Sequence, residues 1–317
     1  MSHPAPESAC AAADVTPWHV LGAGAIGGLW ALRMAAVGIP VTLIAHGDAG
    51  ASRTLSLQDG EHTSSHTFPQ ISAASAGDIA RLLVATKAGI TRAALAPLLP
   101  QLRPGSIILL LQNGMGTEDL LCAEHPDLCI LNGITTDGIF REGKDRLVQA
   151  GHGETWLGCH HRNDEANAKA IAASLSGNAW PVHFVPDIQQ RRWQKLAMNC
   201  AINPLTALYR CRNGELLEKP DALATMRHIC TEAALVMRAE GLDADSETLF
   251  KAACETARKT AANISSMRAD VDAGRPTEID FINGYLLRRA AAHGIAVPAN
   301  SALCAGIAAM SPAASTR

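Results

Sequence analysis

The sequence lacks the cysteine pattern of a disulfide-stabilised protein. Its nine cysteines are an odd number, lie scattered through apolar stretches and include no C-x-x-C pair. A secreted disulfide framework usually shows an even number of cysteines at short, regular spacings. We therefore predict reduced thiols and a cytoplasmic protein.

A basic leader and a long hydrophobic run are also missing from the N-terminal residues. Residues 1–17 contain neither a positively charged segment nor an extended apolar core. A signal peptide needs both of these features, and a membrane span needs the second. We expect residues 1–17 to form a flexible leader, and we expect no membrane partner.

Excess charge of one sign is absent as well. The net charge is −3 at pH 7 and the pI is near 6.4, so no basic surface for nucleic acid or an anionic membrane is indicated. Arg191–Arg192 and Arg288–Arg289 are isolated basic pairs, which we interpret as solvated helix edges. The twelve histidines are scattered along the chain, and we predict no metal site.

The composition is that of a globular protein with about two domains. The chain has 317 residues, of which 48% are hydrophobic and 18% charged, and this suffices for two cores. Short apolar strands alternate with helical patterns up to about residue 186. Beyond it only helical periods occur, at about 188–207, 222–240, 246–261, 264–272, 277–293 and 300–310. We predict an α/β N-terminal Rossmann-type domain over residues 18–186, followed by an all-α C-terminal domain over residues 187–317.

The first strand, turn and helix carry a G-x-G-x-x-G pattern. An apolar run at residues 18–21 precedes the glycines, a helical pattern continues to residue 37, and residues 40–45 form the next strand. Glycine permits the tight turn and lets the backbone approach a pyrophosphate, while the helix N-terminus supplies free N–H groups. The predicted dinucleotide-binding residues are Gly22, Ala23, Gly24, Ala25, Ile26 and Gly27. A purely structural glycine turn is the alternative.

The residue after the second strand distinguishes between the two nicotinamide dinucleotides. An acidic side chain there accepts a hydrogen bond from the ribose 2′-hydroxyl of NAD, whereas a basic group favours the 2′-phosphate of NADP. In this chain the strand leads into His46, with Arg53 further on and no carboxylate at the strand end itself. We predict NADPH, with His46 as a cofactor-binding residue. A loop histidine without this role is the alternative.

Two further strands of the predicted sheet are each followed by a polar residue. Lys87 follows the apolar strand at residues 79–85, and Asn113 follows the one at residues 106–111. Ligands of open α/β sheets bind at the carboxyl ends of parallel strands. We therefore interpret Lys87 and Asn113 as ligand-binding residues, with a solvated lysine and an Asn-Gly turn as the structural alternatives.

The strongest chemical signal lies on the first predicted helix of the second domain. Lys195, Asn199 and Asn203 stand four residues apart with apolar residues between them, so they form one stripe on a helix. Buried polar groups need partners, and a lysine with two carboxamides suits a small oxygen-rich substrate. A polar stripe satisfied by neighbouring side chains is the alternative.

The helical domain contains two more polar clusters among apolar neighbours. They lie at residues 263–267 and 276–284. Thr277 and Asp280 fit a helix start, because threonine and acids favour first turns. That interpretation leaves Asn263, Ser266 and Glu278 unexplained, so we include these three residues among the candidates.

Taken together, the motifs resemble those of the ketopantoate reductase (2-dehydropantoate 2-reductase) family over about residues 18–303. In chain order the matching segments are Gly22–Gly27, Lys87–Ala88, Asn113–Gly116, Lys195–Ala207, Asn213–Leu216, Asn263–Met267 and Arg275–Gly284. The resemblance implies a Rossmann domain, a helical domain and an active site between them. It also implies NADPH-dependent reduction of 2-dehydropantoate to pantoate, in the pathway to pantothenate and coenzyme A.

The resemblance further implies a role for each matching residue. Lys195 would donate the proton to the ketone oxygen. The substrate-binding residues would be Asn113, Asn199, Asn203, Asn213, Asn263 and Ser266. Lys87, Asn113, Ile139 and Glu278 would line the cofactor. One departure concerns the cofactor, because well-matching members of the family carry arginine where this chain has His46.

The implied chemistry agrees with the residue types. Hydride arriving at a keto carbon builds negative charge on its oxygen, and an ammonium group both stabilises that charge and supplies the proton. Two other functions stay open: a reductase of another branched 2-keto or 3-hydroxy acid, and a nicotinamide-binding sensor without catalysis. The expected partner is a small 2-keto acid rather than a nucleic acid, and a homodimer is compatible with the sequence.

Overall fold

The computed structural model describes residues 16–45, 47, 50–160, 164–176 and 180–310. Most of the predicted flexible leader lies outside these residues, and so does His46. A strand-rich first half is followed by helices from residue 188 onward, which confirms the predicted fold class. No helix in the described ranges is long and apolar enough to cross a membrane.

In the described part of the first domain, eleven strands form one sheet. The strands are β1 (Trp18–Leu21), β2 (Val41–Ala45), β3 (Ser52–Asp59), β4 (His62–Ser72), β5 (Ile79–Val84), β6 (Leu102–Leu110), β7 (Cys129–Thr135), β8 (Gly138–Glu142), β9 (Arg146–Gly151), β10 (Thr155–Cys159) and β11 (Val182–Phe184). Their spatial order is β11-β10-β7-β6-β5-β1-β2-β4-β3-β9-β8. From β7 to β4 all neighbours are parallel. The carboxyl ends of these six strands therefore lie on one side of the domain.

The central strands are apolar because helices cover both faces of the sheet. Val20, Leu83 and Leu109 are all 0% exposed, and strands buried on both faces read as continuous hydrophobic runs. The covering helices are α1 (Ala25–Ala36), α2 (Ala88–Leu95), α3 (Thr117–Glu124) and α4 (Glu165–Leu175). Trp30 of α1 packs edge-on against Trp180, with 4.7 Å between ring centroids.

Beyond the parallel core the sheet is mixed. The pairs β7–β10, β4–β3 and β9–β8 are antiparallel, whereas β10–β11 and β3–β9 are parallel. The hairpin of β3 and β4 turns at Gly60, whose φ of +58° suits glycine. The short strand β8 lies at one edge of the sheet. It places Phe140 and Arg141 at the edge of the cleft described below.

The second domain is organised around the 21-residue helix α5 (Ile188–Leu208). Asp187 caps this helix, because its Oδ1 accepts hydrogen bonds from the backbone N–H groups of Gln189 and Gln190. The other helices are α6 (Pro220–Ala239), α7 (Ser246–Lys259), α8 (Ser266–Asp272), α9 (Asn283–Ala292) and α10 (Pro298–Met310). The small side chains of Cys200 and Ala201 are 0% exposed, which lets neighbouring helices pack closely on α5.

A buried polar network replaces the backbone hydrogen bond that α5 loses at Pro204. Proline has no N–H, so the carbonyl of Cys200 loses its usual helical donor. Asn283 Nδ2 donates to this carbonyl at 3.3 Å and to Asn300 Oδ1 at 2.9 Å. Asn300 is held in turn by Glu232, whose Oε2 accepts from Asn300 Nδ2 at 2.7 Å. The network therefore ties the middle of α5 to α6, α9 and α10.

The prediction of one continuous helix over residues 277–293 is wrong. A 3₁₀ turn at Ile279–Phe281 precedes α9, and Ile282 between them has φ −102° and ψ −92°, outside the helical region. The break leaves the carbonyl oxygen of Phe281 free to accept a hydrogen bond from Met115 N at 2.9 Å. The interruption thus joins the two domains.

Candidate active site

The two domains meet in a cleft at the carboxyl ends of the parallel strands. Two adjoining cavities in this cleft share Gln112 and Asn113, which follow β6. The first, called the α5 cavity below, is lined by Lys195 and Asn199 among others. The second, called the glycine-loop cavity, is lined by Gly24, Ala25, Ile26, Lys87 and Glu278 among others. The structure thus brings residues from both predicted sites to one place.

The turn after β1 requires glycine at its first and last positions. Gly22 has φ +94°, and a Cβ there would lie 2.7 Å from Thr86 N. A Cβ on Gly27 would lie 2.3 Å from the oxygen of Gly22. By contrast, a Cβ on Gly24 would have no neighbour closer than 4.0 Å, so the protein leaves space in front of the helix α1. Open space beside free helix N–H groups fits the pyrophosphate of a dinucleotide.

Lys195 lies half-buried in the α5 cavity and reaches the first domain. Its Nζ donates to the main-chain carbonyl oxygen of Thr135, the last residue of β7, at 3.1 Å. Burial lowers the pKa of Lys195 to about 8, and the carboxylate of Glu278 opposes this shift. At pH 7 the ammonium form therefore still predominates, by about tenfold. The side chain is a cation that can release its proton readily.

Glu278 approaches the cleft from the helical domain and contacts the start of α2. Its Oε1 accepts a hydrogen bond from the backbone N–H of Ala88 at 3.0 Å. Burial raises the pKa of Glu278, although the Ala88 hydrogen bond and the nearby Lys87 and Lys195 act in the opposite direction. A carboxylate at this position helps to keep Lys195 protonated.

Lys87 forms a second connection across the cleft. Its Nζ lies 2.6 Å from Asp270 Oδ1 and donates to the carbonyl oxygen of Pro276 at 3.2 Å. Asp270 is 5% exposed and also pairs with Arg275 at 3.0 Å. Lys87 therefore lines the glycine-loop cavity while it holds α8 against the first domain.

The carboxamides of the predicted stripe are placed differently from one another. Asn113 and Asn199 both line the α5 cavity. Asn203 lies one turn further along α5, and its carbonyl oxygen accepts from Thr206 Oγ1 at 2.8 Å. Among the described residues, the side-chain amides of these three asparagines have no hydrogen-bond partner. Half-buried amides without partners are available to a ligand.

Four further candidates among the described residues line neither cavity: Asn213, Asn263, Ser266 and Ile139. Asn213 is 8% exposed. Its Nδ2 donates to Thr260 Oγ1 at 2.8 Å, and its backbone N–H donates to the carbonyl oxygen of Asn263 at 3.1 Å. The side chains of Asn263 and Ser266 are exposed. Ile139 in β8 packs against the core of the first domain. His46 lies outside the described residues.

Arg192 is a residue of the α5 cavity that sequence reasoning misses. The interpretation of Arg191–Arg192 as a solvated helix edge is wrong for Arg192, which is 9% exposed and lines the cavity beside Lys195. Its Nη2 lies 2.5 Å from Glu118 Oε1. The spacing contains a usable signal, because Arg192 precedes Lys195 by three residues and so shares its face of the helix.

A buried acid supports the strand that anchors Lys195. The Asp137 side chain is fully buried and makes a bidentate ion pair with Arg33 of α1, at 2.7 and 2.9 Å. Its Oδ2 also accepts from Thr135 Oγ1 at 2.7 Å. Burial pushes the pKa of Asp137 upward, but its hydrogen bonds with Arg33 and Thr135 outweigh this effect, and the pKa is lowered. This cluster fixes the residue whose carbonyl receives Lys195.

The site combines a cation, a carboxylate and unpaired amides beside a dinucleotide-type loop. Such a group can stabilise negative charge on a ligand oxygen and donate a proton to it. The buried cysteines do not offer an alternative nucleophile, because burial raises the pKa of the Cys200 thiol well above its usual range.

Comparison with known proteins gives consistent matches over most of the chain. Residues 18–162 match the family model described as ketopantoate reductase PanE/ApbA, and residues 187–311 match ketopantoate reductase PanE/ApbA C terminal. A 2-dehydropantoate 2-reductase of Vibrio cholerae is 39% identical over 285 residues, which cover 90% of this chain and 94% of that protein. One of Yersinia pestis is 36% identical over 301 residues, covering 90% and 91%. The crystal structure of a PanE/ApbA family ketopantoate reductase from Ralstonia eutropha has a TM-score of 0.83 and 26% identity, covering 93% of this chain and 98% of that one.

Proposed function

Because the chain belongs to the ketopantoate reductase family, we propose that it reduces 2-dehydropantoate to pantoate with NADPH, in pantothenate biosynthesis. The observation that carries this proposal is the position of Lys195. It lies in the α5 cavity, which adjoins the glycine-loop cavity through Gln112 and Asn113. A protonated group next to a dinucleotide site is what reduction of a ketone requires.

The glycine loop and its surroundings would hold the dinucleotide. Gly22 to Gly27 would contact the pyrophosphate, and Lys87, Asn113 and Glu278 would lie along the nicotinamide half, since all three line the cleft. Ile139 belongs to this set by family resemblance. When bound, the reduced nicotinamide supplies a hydride to the substrate.

Lys195 would complete the reduction. As negative charge develops on the ketone oxygen, the ammonium group stabilises it and transfers a proton to it. Glu278 favours the charged form of Lys195 before the reaction. The hydrogen bond to Thr135 limits the positions that Nζ can occupy, so the proton is presented from a fixed point.

The carboxamides would hold the oxygen atoms of the substrate. Asn113 and Asn199 line the cavity and have no partner among the described residues, so they can bind the carboxylate or the hydroxyl. Asn203 belongs to the proposal through the family resemblance and its half-buried, unpartnered amide among the described residues. Asn213, Asn263 and Ser266 belong to it through the family resemblance alone.

Preference for NADPH is supported by two arginines beside the end of β2. A third cavity, which adjoins the glycine loop, is lined by Ala45, Gly47, Arg53 and Arg141. Both arginines donate to the carbonyl oxygen of Lys144, at 3.0 and 2.8 Å, which holds them close together. Guanidinium groups suit a phosphate geometrically, and they supplement His46 in this proposal.

A cytoplasmic location and a homodimer complete the proposal. All eight described cysteines are free thiols, which supports a reducing compartment. Sedimentation of the purified protein tests the dimer.

A substrate panel tests the proposed reaction. The purified protein is mixed with NADPH and either 2-dehydropantoate, the same skeleton without its hydroxyl, or other branched 2-keto acids, and oxidation of NADPH is followed. We expect 2-dehydropantoate to give the highest kcat/KM, because a missing hydroxyl leaves binding groups unpaired. Higher efficiency with another keto acid would assign a different substrate. Cofactor binding without any turnover would indicate a sensor.

A further inference from the structure

Arg192 occupies a position in the α5 cavity that no predicted role explains. It stands three residues before Lys195 and seven before Asn199 on α5, so all three lie on the same face of the helix. The residue is 9% exposed and lines the cavity. A buried guanidinium is costly unless it serves an ion pair or a ligand.

The ion pair with Glu118 does not use the full binding capacity of Arg192. Nη2 lies 2.5 Å from Glu118 Oε1, and Nη1 donates to Gln189 Oε1 at 3.3 Å. Glu118 Oε1 receives no well-aligned hydrogen bond among the described residues, so this contact is mainly electrostatic. A guanidinium has five N–H donors. Several therefore remain for an anion that enters the cavity.

Glu118 is itself fixed, and it fixes Arg192. Its Oε2 accepts from the backbone N–H of Gly116 at 3.2 Å, within the loop that begins at Asn113. Glu118 is 2% exposed and belongs to the first domain, whereas Arg192 belongs to the second. The guanidinium is thus oriented from across the cleft before any ligand binds, which reduces the entropic cost of using it.

We propose that Arg192 binds the carboxylate of the keto acid and thereby makes the enzyme specific for acids over neutral ketones. This inference rests on the proposed reductase function. Side chains three residues apart on a helix have Cβ atoms about 5–6 Å apart, and a 2-keto acid carries its carboxylate on the carbon next to the ketone. Arg192 then receives the carboxylate while Lys195 receives the ketone oxygen. Planar, bidentate recognition of a carboxylate is the task that arginine performs better than lysine.

The competing interpretation is that the Arg192–Glu118 pair only holds the two domains together. In that case the loss of Arg192 lowers stability and reduces turnover of charged and neutral substrates alike. A role in carboxylate recognition changes the ratio between them. This ratio is insensitive to the folded fraction of a variant, because unfolded protein lowers both activities equally.

The experiment compares 2-dehydropantoate with its methyl ester as substrates of the NADPH-loaded enzyme. The variants are R192Q, R192K and the double variant E118Q/R192Q, which removes both buried charges if R192Q alone folds poorly. R191Q is the matched control, because Arg191 is exposed and stacks on Trp156, with 4.7 Å from guanidinium carbon to ring centroid. We expect the acid-to-ester ratio of kcat/KM to fall by about 30-fold or more in R192Q and in the double variant. R192K should fall between R192Q and the wild type, and R191Q should keep the wild-type ratio.

Two results would overturn the inference about Arg192. One is an unchanged acid-to-ester ratio in R192Q and in E118Q/R192Q, whatever happens to the melting temperature. The other is an equal fall of the ratio in R191Q.

If the wild type reduces neither substrate, the proposed function fails separately. Calorimetric titration with pantoate and its amide then tests whether Arg192 binds a carboxylate. If Arg192 binds the carboxylate, the wild type should bind pantoate more tightly than its amide, and R192Q should bind the two equally. Equal binding of pantoate and its amide by the wild type would reject the inference.

Discussion

Lys195 Nζ donates a hydrogen bond to the main-chain carbonyl oxygen of Thr135 at 3.1 Å, so a residue of the helical domain is anchored to the last residue of a sheet strand. Thr135 is fixed by the buried ion pair of Asp137 and Arg33 through its hydroxyl group. The proton donor of the proposed reaction therefore depends on a network that crosses both domains.

The pH dependence of turnover should follow the ammonium group of Lys195. Burial lowers its pKa to about 8, and only the protonated form can act as the acid. We expect kcat/KM, which reports the ionisation of the free enzyme, to be constant at neutral pH and to fall tenfold per pH unit well above pH 8. Glu278→Gln removes the carboxylate that raises the pKa of Lys195, so the decline should begin at lower pH. A profile that is flat to pH 10, or a shift to higher pH in E278Q, would contradict this assignment.

Asp137→Asn should damage both stability and turnover. It leaves Arg33 without its buried partner, which costs ~3–5 kcal/mol of unfolding free energy by analogy with other broken buried pairs. Because the pKa of Asp137 is lowered in the folded protein, its stabilising effect is present above the ordinary carboxyl pKa and is lost as pH falls through the lowered value. In urea melts at several pH values, the free energy of unfolding of D137N should therefore fall less on acidification than that of the wild type. D59N is the control, because Asp59 pairs with His152 on the surface.

The sequence predicts the features that depend on local spacing. The glycine turn at Gly22 to Gly27 is identified because its strand, turn and helix follow one another directly. The stripe of Lys195, Asn199 and Asn203 is identified because helical periodicity repeats within a few residues. These positions also carry the family resemblance.

The features that sequence reasoning misses depend on contacts between distant segments. From the sequence, Arg192 is interpreted as half of an exposed basic pair, because its ion-pair partner, Glu118, lies far away in the chain and in the other domain. Lys195 is anchored by the backbone carbonyl of Thr135. Every residue has such a carbonyl, so the sequence does not show which one accepts the hydrogen bond. The break at Ile282 is hidden because the surrounding residues all fit a helix, and the carbonyl of Phe281 finds its partner in the other domain.

Asn283→Ala should weaken the helical domain by ~1–3 kcal/mol, the cost of leaving a buried acceptor unsatisfied. The acceptor is the carbonyl of Cys200, which Pro204 deprives of its usual donor. Pro204→Ala restores an N–H at this point, so N283A should be less destabilising in a P204A background. Chemical denaturation of the four proteins in this double-mutant cycle gives the coupling energy. Strict additivity would show that Asn283 acts through its other contacts.

Replacing Arg53 and Arg141 together by glutamine should reduce the preference for NADPH over NADH. Both line the cavity at the end of β2. Arg141 is exposed and Arg53 is partly buried beside Asp145, so we expect the loss of each guanidinium to lower the preference by about tenfold or less. The ratio of kcat/KM with the two cofactors is the appropriate readout, and kcat itself should change little. R103Q, at an arginine that pairs with Asp78 on the surface, is the control. An unchanged ratio would leave phosphate recognition to His46 and other groups.

The central claim is that Lys195 donates the proton, and the turnover of Lys195→Met tests it most directly. Methionine keeps an unbranched side chain of similar length, and removing a charge that burial disfavours should not lower the melting temperature. Gln194→Met, an exposed neighbour on α5, is the control. We predict that kcat for 2-dehydropantoate falls by about 10²–10⁴-fold in K195M while the Kd of NADPH stays within a factor of about three. Near-native kcat in folded K195M would contradict the account.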